Sequence, residues 1–461
     1  MNTLDLYHAF PYTLKVVLAS LKGYSFNSWR YGRETERLVA EAFERESWSP
    51  DKWKAWQEER LAFILHRAAT QVPYYRDYWQ ERKRKGDNRT WEDLANWPVL
   101  TKEPLRVNSE RFVAVDCDRK KMWKLTTSGT TGTSVDLWWS RRTTFLWYAL
   151  FEARWRRWYG LHWKERWAYF GGKMVVSSKQ NKPPYWVWNA GMRQLYMSSY
   201  HLAPQNSPFY VDALKKHRVE YLFGYASSIY AIANDVLTQG ISPPQVKAVV
   251  TCAEPLYAFQ REAIQKAFNC PVRETYGMAE VVAAAGECDN GNLHWWPDVG
   301  VVEVLENGEA VPNGVPGDLI TTGLFNPDMP LIRLKLGDRG RMPEFKSCGC
   351  NRGLPILPEL EGRCDDVVVL PDGKRIGRFS TIFKGKIPFR EFQVIQDELE
   401  SIRVLAVPTE EFRTGDEREI EIKLRERIGH NIAIDFEFVS EIPRTKNGKF
   451  RTVISRIAPN K

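Results

Sequence analysis

The sequence predicts an α/β protein in two domains. The first, residues 1–362, is a large domain of doubly wound sheets plus a small β-barrel or antiparallel sheet; the second, residues 363–461, is a small α+β domain. Three observations predict this. A chain of 461 residues exceeds what one hydrophobic core usually supports. Between about 165 and 340, short apolar runs alternate with helical patterns: VEYLFGY then SSIYAIANDVLTQG, VKAVVTCAEP then YAFQREAIQKAFN, then VRETYG. Each run ends in small or turn-forming residues before a helix, as parallel strands do, and ligands in such sheets bind in those turns. After about 295 the texture becomes GVVEVLENGEAVPNGVPGDLITTGL, apolar alternation punctuated by Gly, Pro and Asn.

The elements follow in order. The start, MNTLDLYHAFPYTLKVVLASLKGYSF, lacks the basic beginning, apolar run and cleavage site of a signal peptide. It reads as an amphipathic helix packed on the main domain or lying peripherally on the inner face of a membrane. Residues 30–160 read as mainly helical, broken at PVLTKEPLR (98–106) and at LTTSGTTGTSV (125–135). The 19 Trp cluster early, as in WYALFEARWRRWYGLHWKERW (147–167). Helices with aromatic core faces and solvated basic faces explain that pattern better than a nucleic-acid surface, since no nucleic-acid motif accompanies it. The last residues hold short strand-like runs, VVVLPDG, RVLAVP, EIEIKL and AIDFEFV.

Composition excludes several classes. Hydrophobic residues make up 43% and charged residues 27%, as in a folded soluble protein. No apolar stretch is long enough to span a membrane. A net charge of +9 favours anionic ligands such as nucleotides or CoA. Seven cysteines without an export signal suit a reducing cytoplasm better than a disulfide framework.

Thr126 to Ser134 are all Thr, Ser or Gly. Such a loop turns backbone N–H and hydroxyl donors toward phosphate oxygens, unless it is only a polar surface loop. It is not the GxxxxGK[ST] loop, because no Lys follows its second glycine. Its counter-charge has to come from elsewhere in the chain.

TTSGTTGTS resembles the phosphate loop of the adenylate-forming superfamily, the acyl-CoA synthetases, luciferases and peptide-synthetase adenylation domains. Four further stretches resemble that superfamily's motifs in the same order: ETYGMAE (274–280), MPLIRLKLGDRGR (329–341), EGRCDD (361–366) and EIPRTKNGKFR (441–451). The resemblance implies that Thr126, Thr127, Ser128, Gly129, Thr130, Thr131 and Gly132 bind ATP phosphates. With Ala253, Glu254 and Thr275 at the nucleotide, it implies that Tyr276 stacks on adenine, Glu280 holds Mg²⁺, Asp338 accepts from the ribose hydroxyls and Arg363 contacts the nucleotide. Asp365 is implied as the hinge of a mobile C-terminal domain, and Lys449 as the catalytic cation on that domain. The motif's usual Tyr and Thr are Leu334 and Leu336 here.

Within the superfamily, SSYHLAPQN (198–206), YLFGYASSIYAIA (221–233), TCAEPLYAFQREAIQKAF (251–268) and CGCNRGLPIL (348–357) are similar to the phenylacetate–CoA ligase-like family, particularly its capsular polysaccharide branch. By resemblance, Tyr225, Ala226, Ser227, Gly277 and Met278 line the acyl pocket. His201 is a gate between acyl pocket and thiol tunnel, or a core histidine. Cys288, His294, Cys348 and Cys350 form either a structural Cys₃His zinc site or buried free thiols. The implied activity is ATP-dependent activation of a carboxylic acid, an aromatic one as first guess, with transfer from acyl-AMP to CoA. The alternatives are transfer to an amine or hydroxyl of a surface-polysaccharide sugar, and a non-catalytic nucleotide-binding scaffold.

Overall fold

The computed structural model describes residues 3–127, 135–177, 179–358, 360–363, 368–371, 375–376, 389–444 and 450–457. Six helices come first: α1 (Thr3–Ala9), α2 (Tyr12–Arg30), α3 (Thr35–Arg45), α4 (Pro50–Gln71), α5 (Pro73–Arg84) and α6 (Lys102–Asn108). The entry to α4 follows directly from SWSPDKW: the Ser49 hydroxyl accepts from Lys52 N–H and Pro50 stands where a missing N–H costs nothing. A hairpin of β1 (Trp123–Thr126) and β2 (Asp136–Trp139) leads into α7 (Arg141–Trp155).

Next come β3 (Trp167–Gly171), β4 (Trp186–Asn189), β5 (Gln194–Ser198), α8 (Ser207–Lys216), β6 (Tyr221–Gly224), α9 (Ala226–Gln239), β7 (Val249–Thr251), α10 (Ala258–Phe268), β8 (Val272–Gly277), β9 (Ala284–Glu287) and β10 (Leu293–Trp295). Their strands form one eight-stranded sheet in the order β10-β9-β8-β7-β6-β3-β5-β4. The central five are parallel, and β4, β9 and β10 are antiparallel at the edges. Both faces are covered, and the two-residue period divides them. Trp167, Tyr221, Phe223 and Val250 enter the core shared with α3–α7, whereas Ala168, Phe170, Leu222 and Val249 enter the core under α8–α10.

β11 (Gly300–Glu306), β12 (Glu309–Ala310), β13 (Gly317–Gly323), β14 (Leu334–Gly340) and β15 (Leu360–Arg363) form a five-stranded antiparallel sheet, the small sheet expected after residue 295. A two-stranded piece, β16 (Val368–Val369) with β17 (Arg375–Ile376), precedes β18 (Phe389–Glu398), β19 (Ser401–Pro408), α11 (Glu417–Ile428), β20 (Ala433–Phe438) and β21 (Val453–Ser455). The last four strands pair in the order β20-β19-β18-β21, with Ile420, Leu424 and Ile428 buried against them.

Two sequence expectations are corrected here. EIEIKL is not a strand but the middle of α11. Its buried positions recur every four residues, at Ile420, Leu424 and Ile428, while Ile422 on the alternate phase is 60% exposed. Arg154 and Arg156 are not solvated either, whereas Lys164 and Arg166 of the same stretch are exposed as expected. Arg154 is bidentate to Asp298 at 2.8 and 3.0 Å and reaches Glu46 at 3.2 Å; Arg156 bonds Tyr31 and Tyr221 hydroxyls at 2.7 and 2.9 Å. Both are fully buried, and breaking such a pair by removing one partner strands a charge.

Candidate nucleotide and metal sites

The C-terminal ends of the parallel strands gather the predicted residues. β8 ends in Tyr276 and Gly277, and the Tyr276 hydroxyl donates to Asp338 Oδ2 at 2.8 Å, joining the large sheet to β14. The β14–β15 register places Arg363 directly opposite Asp338. Thr275 hydroxyl donates to Thr251 carbonyl at 2.7 Å, fixing β8 against the end of β7. Ala253 follows with a left-handed backbone at φ +63°, strain that a non-glycine residue adopts where the surroundings impose it.

Glu254 lies at the centre of a second group. Its Oε2 accepts from Ser227 N–H at 3.0 Å, at the start of α9, and its Oε1 accepts from Phe450 N–H at 2.8 Å. Burial raises the Glu254 carboxyl above its usual range, against the pull of these donors. Tyr257 and Thr452 hydroxyls meet at 2.7 Å, and Phe450 and Phe392 pack by Tyr257 and Phe259. The chain that follows Lys449 is therefore hydrogen-bonded to the turn after β7; Lys449 itself and Asp365 lie outside the described residues.

The phosphate-loop candidate is described only at its base. Thr127 N–H donates to Val135 carbonyl at 2.8 Å, Val135 N–H returns to Thr127 Oγ1 at 2.9 Å, and Thr126 Oγ1 donates to Asp136 at 2.8 Å. Ser128, Gly129, Thr130, Thr131 and Gly132 lie outside the described residues. Glu280 is buried at the turn after β8 and is ion-paired with Lys102 at 2.8 Å. Lys102 is a residue that sequence reasoning passed over. In PVLTKEPLR it read as part of a helix break, and no spacing links it to a carboxylate 178 positions later.

Around the acyl-pocket candidates, Tyr225, Ala226 and Ser227 are buried, and Tyr225 N–H donates to Phe170 carbonyl at 2.9 Å. Sequence reasoning missed their neighbours Tyr169, Tyr196 and Cys252. Burial, then Cys252 and the adjacent phenols, raises the Tyr169 hydroxyl well above its usual pKa. A β-carbon at Gly277 would stand 2.7 Å from the Trp155 ring, so only glycine fits beside α7 there. Met278 packs partly buried against the same core. His201 stacks on Tyr185 at 4.8 Å, its Nδ1 2.8 Å from Ser198 hydroxyl and its Nε2 3.1 Å from Ser177 carbonyl. In this conformation it is held as a packing residue.

Cys288, His294, Cys348 and Cys350 come together with all ligand atoms within 4.8 Å of one another. The sulfurs of Cys288 and Cys348 are 3.7 Å apart; two thiolates bound tetrahedrally to one zinc at ~2.3 Å stand ~3.8 Å apart. Cys350 Sγ is 3.3 Å from His294 Nε2, and His294 Nδ1 is 2.9 Å from Leu354 carbonyl, which directs Nε2 to the cluster. Burial alone would raise the Cys348 thiol. Donation from Cys350 N–H and from the side chains of Asn292, Cys350 and His294 instead brings it to about 5. Burial lifts Cys288 to about 11. The donor set fits a soft divalent ion.

Comparison with known proteins finds likenesses in sequence and in fold. A profile described as the CapK C-terminal domain matches residues 368–456. Protein CapK of Staphylococcus aureus is 26% identical over 98% of this chain and 99% of its own length. Phenylacetate-coenzyme A ligase of Pseudomonas putida is 24% identical over 70% of this chain and 74% of its own. Among solved structures, 2-hydroxyisobutyryl-CoA ligase in the postadenylation state, with a bound acyl-AMP, superposes with a TM-score of 0.68 at 19% identity, covering 89% of this chain and 91% of that one. The same ligase in its thioesterification state gives 0.53. The chain is homologous to CapK and to the phenylacetate–CoA ligases, and its fold is that of the adenylate-forming superfamily.

Proposed function

We propose that this homologue of the phenylacetate–CoA ligases, an AMP-forming ligase by class, converts a carboxylic acid and ATP to acyl-AMP and pyrophosphate and then passes the acyl group to CoA. The observation that carries the reading is the hydrogen bond from Phe450 N–H to Glu254, one residue from Lys449 in the sequence, together with the Tyr276–Asp338 pair. Asp338 offers an ionised acceptor to the ribose, and Tyr276 presents a flat ring for adenine. A carboxylate oxygen of the acid forms a bond to the α-phosphorus as the bond to the β-phosphate oxygen breaks and pyrophosphate leaves. Lys449 offsets the charge that accumulates on the α-phosphate. Mg²⁺ on Glu280 neutralises phosphate charge when bound. Rotation about Asp365 then withdraws Lys449. In the second step, the CoA sulfur bonds to the acyl carbon as the acyl–phosphate C–O bond breaks, releasing AMP and the thiol proton. The better superposition on a postadenylation state than on a thioesterification state supports reading the present arrangement as the first half-reaction.

Exchange of labelled pyrophosphate into ATP, over a panel of aromatic and small carboxylic acids, tests this. Exchange with at least one acid, lost in Lys449→Ala with ATP binding retained, is the expected result. No exchange with any acid would favour a scaffold that has kept only the fold.

A second reading changes the acceptor to an amine or hydroxyl of a surface-polysaccharide sugar. α2 favours it. Leu14, Val17, Leu18, Leu21 and Tyr24 are 37–62% exposed at helical spacing, so one face of a packed helix leaves an apolar row in solvent. Such a row suits peripheral attachment to a membrane carrying lipid-linked sugars, and no described helix is long and apolar enough to cross one. Robust thioester formation with CoA and a small acid would count against this reading. Structural zinc at Cys288, His294, Cys348 and Cys350 belongs to either version.

A further inference from the structure

Lys22 and Arg30 on α2 and Lys173, two residues past the end of β3, meet around one ring. Their charged groups lie 5.5, 5.5 and 5.9 Å from the Phe26 centroid, and Trp123 of β1 stacks on that ring at 4.8 Å. A π face attracts a cation, but three cations around one ring also repel one another, and among the described residues none of the three enters an ion pair with a carboxylate. Arg30 also lies over Tyr148 at 4.2 Å, and its Nε is buried with no acceptor among the described residues. A guanidinium carries donors only, so a buried Nε–H without a partner marks a place for an incoming acceptor. Lys173 is accessible to solvent, yet burial, followed by Arg30 and Lys22, brings its ammonium down to about 8. A side chain that is both accessible and surrounded lines a cleft.

The place of this cluster in the sheet is that of a ligand site. Strand order reverses at β3: the chain leaves it for β4 and β5 on one side and returns to β6, β7 and β8 on the other. Open α/β sheets bind ligands beyond the strand C-termini beside such a reversal. There Lys173 N–H donates to the Tyr196 hydroxyl at 3.1 Å, and Tyr225, in the turn after β6, donates its N–H to Phe170 of β3. The cations thus adjoin the acyl-pocket candidates through Tyr196, whose ring meets that of Tyr169 edge-on at 5.1 Å.

From this geometry we infer that Lys22, Arg30 and Lys173 form a subsite for a second acidic group, carboxylate or phosphate, on the acid that is activated. The substrate class is then a dianionic acid rather than a monoacid such as phenylacetate. The inference rests on the adenylation reading above and narrows it. An arriving oxyanion accepts from Arg30 Nε and offsets the repulsion among the three cations, while the acid's other carboxylate stays free to attack the α-phosphate. A monoacid of the same length leaves the Arg30 donor unpaired, which is how a polar site rejects an analogue lacking the matching group.

Pyrophosphate exchange with matched acids tests this: butyrate against dicarboxylates from succinate to adipate, and phenylacetate against its para-carboxymethyl analogue. At least one dianionic acid is expected to exceed its monoacid tenfold or more in kcat/KM. Lys173→Met and Arg30→Leu should each cut that preference at least tenfold, and Lys173→Arg should restore most of it. Equal use of both acid classes, or an unchanged preference in variants that melt like the parent protein, would overturn the inference. If the variants instead raise KM for CoA in thioester formation and leave the acid preference intact, the anion is a CoA phosphate and the assignment to the acid falls. Calorimetric titration of the full chain with the same acids, without nucleotide, reads the subsite apart from catalysis. Dicarboxylate binding that Lys173→Met abolishes, in a protein that shows no exchange, would keep the subsite and sink the adenylation reading.

Discussion

Replacing Cys350 by serine exchanges a soft thiolate for a hydroxyl in a cluster whose sulfur–sulfur spacing of 3.7 Å already suits zinc. Cys350 is the informative choice because it is partly exposed. His294, by contrast, is wholly buried, and its removal would also leave a cavity and an unpaired Leu354 carbonyl. Protein purified without chelator is expected to carry about one zinc per chain by metal analysis. At free zinc a hundredfold above its dissociation constant, the bound ion stabilises the folded state by ~2.7 kcal/mol. With an unfolding entropy of ~2.1 cal/mol/K per residue, a unit of about 360 residues then melts roughly 3 to 4 °C lower once stripped. Cys350→Ser should lose metal and show the same shift without chelator, and chelator should add nothing further. Zinc below about a tenth per chain in protein that melts cooperatively and ignores chelator would refute the reasoning and leave four free side chains.

Asp338→Asn removes the ionised ribose acceptor and is expected to weaken AMP and ATP alike by roughly ten- to hundredfold, the ~1.5–3 kcal/mol of a charged hydrogen bond; unchanged AMP affinity by titration would remove Asp338 from the site. Burial, with Glu287 adding to it, raises the Glu274 carboxyl to about 7, despite donation from Leu256 N–H. The native state therefore binds a proton that the unfolded chain releases near pH 4.5, and stability falls as pH rises from there to 7. The partly accessible site reduces the loss to on the order of 2 kcal/mol. Glu274→Gln should equal the parent protein in urea unfolding at pH 5 and exceed it at pH 8, and identical pH slopes would contradict this. Leu18→Glu with Leu21→Glu should abolish co-sedimentation with anionic vesicles, each leucine contributing ~1.5–3 kcal/mol when buried; a parent protein that does not sediment would end the membrane reading.

Much of the fold was legible because its signals are local. VEYLFGY, VKAVVTCAEP and VRETYG became β6, β7 and β8; the turns after β6 and β7 carry Tyr225 and Ala253, and β8 itself carries Tyr276 near its end. EIEIKL misled because six residues of alternating charge satisfy a strand period, and the four-residue repeat shows only when Ile428 is included. Arg154 and Arg156 misled for a different reason. Whether an arginine is solvated depends on partners such as Glu46, Asp298 and Tyr221, up to 144 residues away, and composition is silent on pairing. Lys102 is the same case at the site itself, placed by a bridge between Leu100 and Leu334 that no spacing rule contains.

Two of the carboxylates that the sequence offered at the nucleotide site, Glu280 and Glu254, do different physical work in the described structure. Glu280 is ion-paired with Lys102. Glu254 instead spends its two oxygens on N–H groups from distant parts of the chain, Ser227 and Phe450. If the C-terminal domain rotates, Phe450 N–H leaves and Glu254 keeps only its α9 donor, in surroundings that already raise its pKa. Undocking is then resisted by the cost of leaving a buried carboxylate half-satisfied, on the order of 1–3 kcal/mol. A step that re-satisfies Glu254, by solvent entry or by contact with the next face of the C-terminal domain, would make rotation permissible. On the proposed reading, in which Ala253 contacts the nucleotide, the loop TCAEPLY would tie nucleotide binding to the contacts of Glu254 and Tyr257 with Phe450 and Thr452.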